Sequence, residues 1–74
     1  MSGAEYLVVI EEGKNSFGAY VPDLPGCVAV GQSRDEVLDL VREAIQFHIE
    51  GLVETGDRVP PPTSTAQLVA IGAA

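Results

Sequence analysis

Five consecutive apolar residues, Tyr6, Leu7, Val8, Val9 and Ile10, lie between glutamates and a Gly13-Lys14-Asn15-Ser16 stretch. This pattern predicts a strand over residues 5–12 that ends in a hairpin turn. A run apolar on both faces suits a central strand covered on both sides, whereas a half-exposed strand would alternate. Residues 17–21 alternate more loosely and are expected to pair antiparallel with the first strand. Pro22 and Pro25 lack the N–H that a ladder needs and end it. Residues 27–31, CVAVG, form a third short strand. Ser33 and Glu36 then fit a capping box at a helix start. The helix is expected over residues 34–55, with Asp35 and Glu36 at the positive end of its dipole and Gly56 and Pro60 as stop signals. Val37, Val41, Ala44, Ile45, His48 and Leu52 share one face, while Leu38, Leu40, Phe47, Ile49 and Val53 widen the apolar arc beyond a single stripe. Residues 57–65, with Pro60-Pro61-Pro62, read as a stiff polyproline spacer rather than a ligand for another domain. Residues 67–71, QLVAI, close the chain as a last strand.

These elements make an α+β protein with the order β-β-β-α-β. Three strands form an antiparallel meander, and the helix returns the chain so that the fourth strand runs parallel to the first and third. It can add beside either. The doubly apolar first strand suits a central place, giving a four-stranded mixed sheet of order 4-1-2-3, with the right-handed crossover placing one long helix on one face. The opposite face, carrying about half of the apolar side chains of the first strand, is left uncovered. The helix, at roughly 33 Å, should also overhang strands that span only about 17–26 Å. The overhang carries Phe47, Ile49, Leu52 and Val53, and either a protein partner or the return loop covers it.

Length turns these surplus surfaces into an expectation about assembly. Seventy-four residues allow one small domain, and a chain of roughly 60 residues buries only about 60% of its unfolded surface. Disulfides, metals or oligomerisation are the usual remedies. Cys27 is the only cysteine and His48 the only histidine, which rules out an internal disulfide and leaves a zinc shell short of ligands. Self-association, as a dimer or tetramer, remains. Its expected interface is built from Leu7, Val9, Phe47, Ile49, Leu52 and Val53.

Charge narrows the partners. Eleven acidic residues stand against four basic ones, a formal net charge of -7. Lys14, Arg34, Arg42 and Arg58 are scattered singly, without the clustered basic face that nucleic-acid binding requires. An acidic surface suits a basic protein partner, or simply keeps a small protein soluble. No apolar run reaches the length of a membrane span, no basic region opens an export signal, and a lone thiol fits the cytoplasm.

Catalysis and cofactors find little support. Nothing in sequence activates Cys27, and no serine or second acid is placed to make His48 a working base. The strand order resembles the ribonuclease-H core, but such nucleases need carboxylates grouped mid-sheet to hold two metal ions. Here the strand centres are Leu7-Val8-Val9 and QLVAI. The expectation is a non-enzyme with no cofactor and no metal.

One stretch carries a family resemblance. Phe17-Gly18-Ala19-Tyr20, then Val21-Pro22-Asp23-Leu24-Pro25-Gly26-Cys27, then Gly31 and the Gln32-Ser33 helix start resemble HicB-like antitoxins. The resemblance covers roughly residues 6–52. It implies a degenerate ribonuclease-H-like fold, assembly into dimers or larger oligomers, and neutralisation of a small basic RNA-cleaving toxin of the HicA type. Many family members carry a C-terminal ribbon-helix-helix or helix-turn-helix segment that binds an operator. Residues 1–74 are read as a single HicB-like domain without that segment, so direct DNA binding is not expected, and the alternative to the antitoxin reading is an orphan self-assembling interaction module. Asp23, Leu24, Pro25, Gly26 and Cys27 are the candidate partner contacts; otherwise the turn only sets the register of strands two and three.

Overall fold

The computed structural model describes residues 4–72. Strands β1 (Val9–Glu12), β2 (Phe17–Tyr20) and β3 (Val28–Gly31) form an antiparallel sheet of order β1-β2-β3, followed by one long helix, α1 (Arg34–Glu54). Val9 faces Tyr20 and Glu12 faces Phe17 across the first hairpin; Phe17 faces Gly31 and Tyr20 faces Val28 across the second.

The first strand is shorter than the apolar run predicts. Continuing the register places Pro22 opposite Leu7, and proline has no N–H to give. The ladder therefore starts at Val9, and residues 4–8 are not in a strand.

Both helix ends are closed by their own residues. The Ser33 hydroxyl accepts from the Glu36 amide at 3.0 Å, and the Glu36 carboxylate accepts in return from the Gln32 amide. This is the capping box displaced by one residue on the return bond. At the other end the Asp57 amide donates to the Leu52 carbonyl at 2.8 Å and the Gly56 amide to the Val53 carbonyl at 3.1 Å. Gly56 has φ of 76°. These two bonds and the left-handed glycine make a Schellman cap.

The helix packs across β3 and β2 and leaves β1 largely free. Ala19, Val21, Leu24, Cys27, Val37 and Val41 are buried, with Tyr6, Val8, Ile10, Phe17, Ala29, Ala44, Ile45 and Ile49 packed around them. Gly31 sets how closely the helix approaches. A Cβ there would stand 2.9 Å from the Val37 nitrogen and 3.1 Å from its Cα, and backbone cannot swing aside. Gly31→Ala should lower stability by about 1–3 kcal/mol in urea denaturation. A loss under half a kilocalorie would mean that the helix start yields more easily than this contact implies.

The expected fourth strand is not in this sheet. Residues 57–72 contain no strand, and Leu68, Val69 and Ile71 are 96%, 70% and 84% exposed. The chain after the helix is held elsewhere. The Tyr6 hydroxyl donates to the Pro60 carbonyl, and Thr63 and Ser64 bond to Asp23 in the β2–β3 turn. This strap ties the chain after the helix to Tyr6, just ahead of β1, and to Asp23 in the β2–β3 turn.

Candidate functional site

The turn between β2 and β3 is two β-turns in series. The Leu24 amide donates to the Val21 carbonyl at 3.0 Å, and the Cys27 amide to the Leu24 carbonyl at 3.0 Å. Each turn has proline at its second position, Pro22 and then Pro25, where φ near -65° is required. Gly26 takes φ of 87° at the third position of the second turn, as type II demands. Locked this way, the turn drives Leu24 and Cys27 into the core, where both are buried. Burial pushes the Cys27 thiol above its ordinary pKa, which holds it protonated and unreactive at neutral pH. Of the five residues read as partner contacts, Pro25 and Gly26 are exposed at the tip.

Asp23 binds the strap. Its Oδ2 accepts from the amides of Thr63 at 2.9 Å and Ser64 at 2.8 Å. Its Oδ1 accepts from the hydroxyls of the same residues at 3.1 and 2.8 Å. The Ser64 amide above all, then the Ser64 hydroxyl and the Thr63 donors, hold the carboxyl below the ordinary value of 3.8. A depressed folded pKa means that the contact stabilises the fold above that ordinary value. The benefit is lost as pH falls through the lower folded value. Hydrogen exchange at the Thr63 and Ser64 amides should therefore stay slow at neutral pH and accelerate once the pH falls below the ordinary carboxyl value. Asp23→Asn, with one acceptor oxygen instead of two, should release these amides at neutral pH; unchanged protection in that variant would show that the carboxylate does not hold the strap.

Three surfaces are left open. The sheet face opposite the helix presents Leu7, Val9, Tyr20, Val28 and Val30; the last three are exposed, and Leu7 and Val9 are half-buried. The helix overhang presents Phe47, 79% exposed, and Val53, also exposed, while Ile49 and Leu52 are half-buried. The strap therefore does not cover it. The third surface was not singled out from sequence. Asp39, Glu43, Glu50 and Glu54, spaced i, i+4, i+11 and i+15, all fall on the outward face of α1 and are exposed, with the exposed Leu40 and Phe47 along one border. The same helical count that picked out the core face would have found it. Arg42 pairs with Asp39 at 3.3 Å across this face, a solvent-exposed contact of small energetic weight. No basic residue occupies the last helical turn. Glu50 and Glu54 stand instead at the negative end of the dipole, an arrangement that costs about 0.3–1 kcal/mol for each such charge.

His48 is half-buried on the inner side of the helix. Among the described residues no three of His, Cys, Asp or Glu gather as metal ligands, and no helix is long and apolar enough to cross a membrane.

The described residues thus make a small α+β fold with two apolar surfaces and one acidic surface open to solvent. Residues 6–72 match the family model described as the HicB-like antitoxin of bacterial toxin-antitoxin systems. The chain belongs to that family, as the Phe17-to-Cys27 pattern led one to expect. It is 34% identical over 64 residues to an uncharacterized 14.9 kDa protein from the rep-hol intergenic region of Haemophilus phage HP1, covering 86% of this chain and 48% of that one. It is 43% identical over 44 residues to a UPF0150 protein of Helicobacter pylori, covering 60% and 61%. A UPF0150 protein of Thermoplasma acidophilum is 33% identical over 57 residues, covering 76% and 83%. The chain thus spans about half the length of the phage relative and three-fifths of the Helicobacter one. No solved structure matches.

Proposed function

We propose that this protein is a non-catalytic, cytoplasmic antitoxin that binds and masks a small basic RNA-cleaving toxin of the HicA type. The observation that carries the reading is the acidic outer face of α1 in a chain of the HicB-like antitoxin family. A net charge of -7 attracts a cationic partner and raises its rate of encounter. Leu40 and Phe47 beside the carboxylates supply the apolar contact that charge alone lacks. Glutamates kept at the unfavourable end of the helix are what a surface selected for binding, rather than for stability, would retain. The exposed Pro25-Gly26 tip is the second candidate contact. Direct nucleic-acid binding has no basic face to support it.

Self-association belongs to the same proposal. The uncovered sheet face and the helix overhang are apolar surfaces of the kind that stable interfaces cover. A degenerate ribonuclease-H-like core with a fourth strand is the corresponding fold reading. Should no basic partner exist, self-assembly alone would be the function.

The toxin reading is tested by co-expression. A small basic protein encoded beside this one should arrest growth when expressed alone and permit it when the two are expressed together. Continued arrest under co-expression, with both proteins present, would end the antitoxin reading for that pair.

A further inference from the structure

We infer that residues 67–71 form the missing fourth strand of a second copy: two chains exchange these segments reciprocally, each segment lying along the β1 edge of the other. The proposal names the segment behind the self-association proposed above and rests on it.

Four observations converge. First, β1 is an edge strand with no neighbour on its outer side among the described residues, and an unpaired edge is a template for another strand. Second, the helix sits over β3 and β2, leaving beside residues 5–8 an open groove of about 490 Å³ lined by Glu5, Tyr6, Val8, Leu38, Val41, Arg42 and Ile45. A strand added at the β1 edge would turn its side chains into that groove on one face. On its other face it would extend the Leu7 and Val9 surface. Third, residues 67–71 are built for such a place. Val69 and Ile71 alternate with Leu68 and Ala70, so the segment is apolar on both faces, as the Tyr6-to-Ile10 run is. Yet its three large side chains are almost fully exposed in the single chain. Fourth, Tyr6 and Asp23 anchor residues 60–64 just before the segment, while residues 67–71 lie in no strand of their own chain.

The dimensions agree. A compact chain of this length has a radius of gyration of about 11 Å, against 14.4 Å here. A compact monomer of this mass exposes about 4,400 Å², against 5792 Å². The excess is about 1,400 Å² per chain. Twice that area falls within the range of obligate homodimers, about 2,000–5,000 Å². Because donor segment and acceptor edge lie on one chain, a two-fold axis satisfies both at once, which is the economy of domain swapping.

The test uses the full chain without any toxin, so its outcome is independent of the antitoxin reading. A 1:1 mixture of isotope-labelled and unlabelled protein should give filtered intermolecular contacts between the Val69 and Ile71 methyls and Tyr6 or Val8. Val69→Lys, at a position exposed in the single chain, should keep the circular dichroism spectrum. It should raise the dimer dissociation constant about 100-fold or more, since two ammonium groups would be drawn from water against the Tyr6, Val8, Leu38, Val41 and Ile45 side chains of the two grooves. Contacts from the segment to Tyr6 or Val8 of its own chain would overturn the exchange in favour of a strand added in cis. A Val69→Lys dimer of unchanged affinity would also overturn it while leaving self-association through the open sheet face intact. A monomer at 100 µM would remove both.

Discussion

Replacing Leu24 by alanine should cost about 2–5 kcal/mol, measured by urea denaturation with the midpoint and slope fitted together. Leu24 has no exposed surface and is, with Val37 and Val41, one of the three largest fully buried side chains among the described residues. A domain of this length has a total stability of roughly 4–11 kcal/mol, so the loss removes a large share of it. The two prolines explain why the site cannot relax. With Pro22 and Pro25 each fixing one turn, and the Val21 amide bonded to the Cys27 carbonyl at 3.2 Å, the backbone that carries Leu24 cannot collapse into the cavity. A cost below 1 kcal/mol would show that the turn is softer than its geometry indicates. The Pro-Asp-Leu-Pro-Gly segment is in this account first a plug for the core, and only its Pro25-Gly26 tip is free to meet another molecule.

Reversing the charge of Asp39, Glu43, Glu50 and Glu54 to lysine should slow association with a basic toxin about 10- to 1,000-fold at low salt. It should also flatten the salt dependence of the on-rate, because outlying charges act mainly on encounter. The fold should hold or gain slightly, since lysine at positions 50 and 54 favours the helix C-terminus. Phe47→Ala should behave differently: faster dissociation with the salt response unchanged, as expected for an apolar anchor. If the four-lysine variant associated as fast as the parent, the acidic helix face would not be the docking surface, and the Pro25-Gly26 tip would take its place.

Much of this architecture can be read from residue pattern. Ser33, Glu36 and Gly56 mark the helix ends to within one residue, and the glycine-bounded CVAVG run marks β3, because these features are local and their chemistry is decided within a few residues. The double turn is legible for the same reason. The extent of β1 is not. Tyr6, Leu7 and Val8 have every attribute of a strand, but the proline that stops their pairing lies fifteen residues beyond Leu7 and acts only once the register is fixed. Residues 67–71 show the same limit. Their composition predicts a strand, yet residues 57–72 contain none, because composition does not say whether a free edge lies within reach. The site is legible unevenly. Phe47 and Val53 stand out by exceeding the stripe a helix needs, whereas Leu24 and Cys27 look like surface turn residues until Asp23, Pro22 and Pro25 are seen to turn them inward. The hydrogen bonds from Thr63 and Ser64 to Asp23 span some forty positions and leave no local trace.

The most direct measurement is the RNA-cleaving activity of a purified basic toxin, encoded beside this protein, titrated with this protein. The account predicts that cleavage falls in proportion to added protein and stops near equal subunit ratio, and that the four-lysine helix variant fails to stop it at the same concentration. Undiminished cleavage in the presence of excess, folded protein would contradict it.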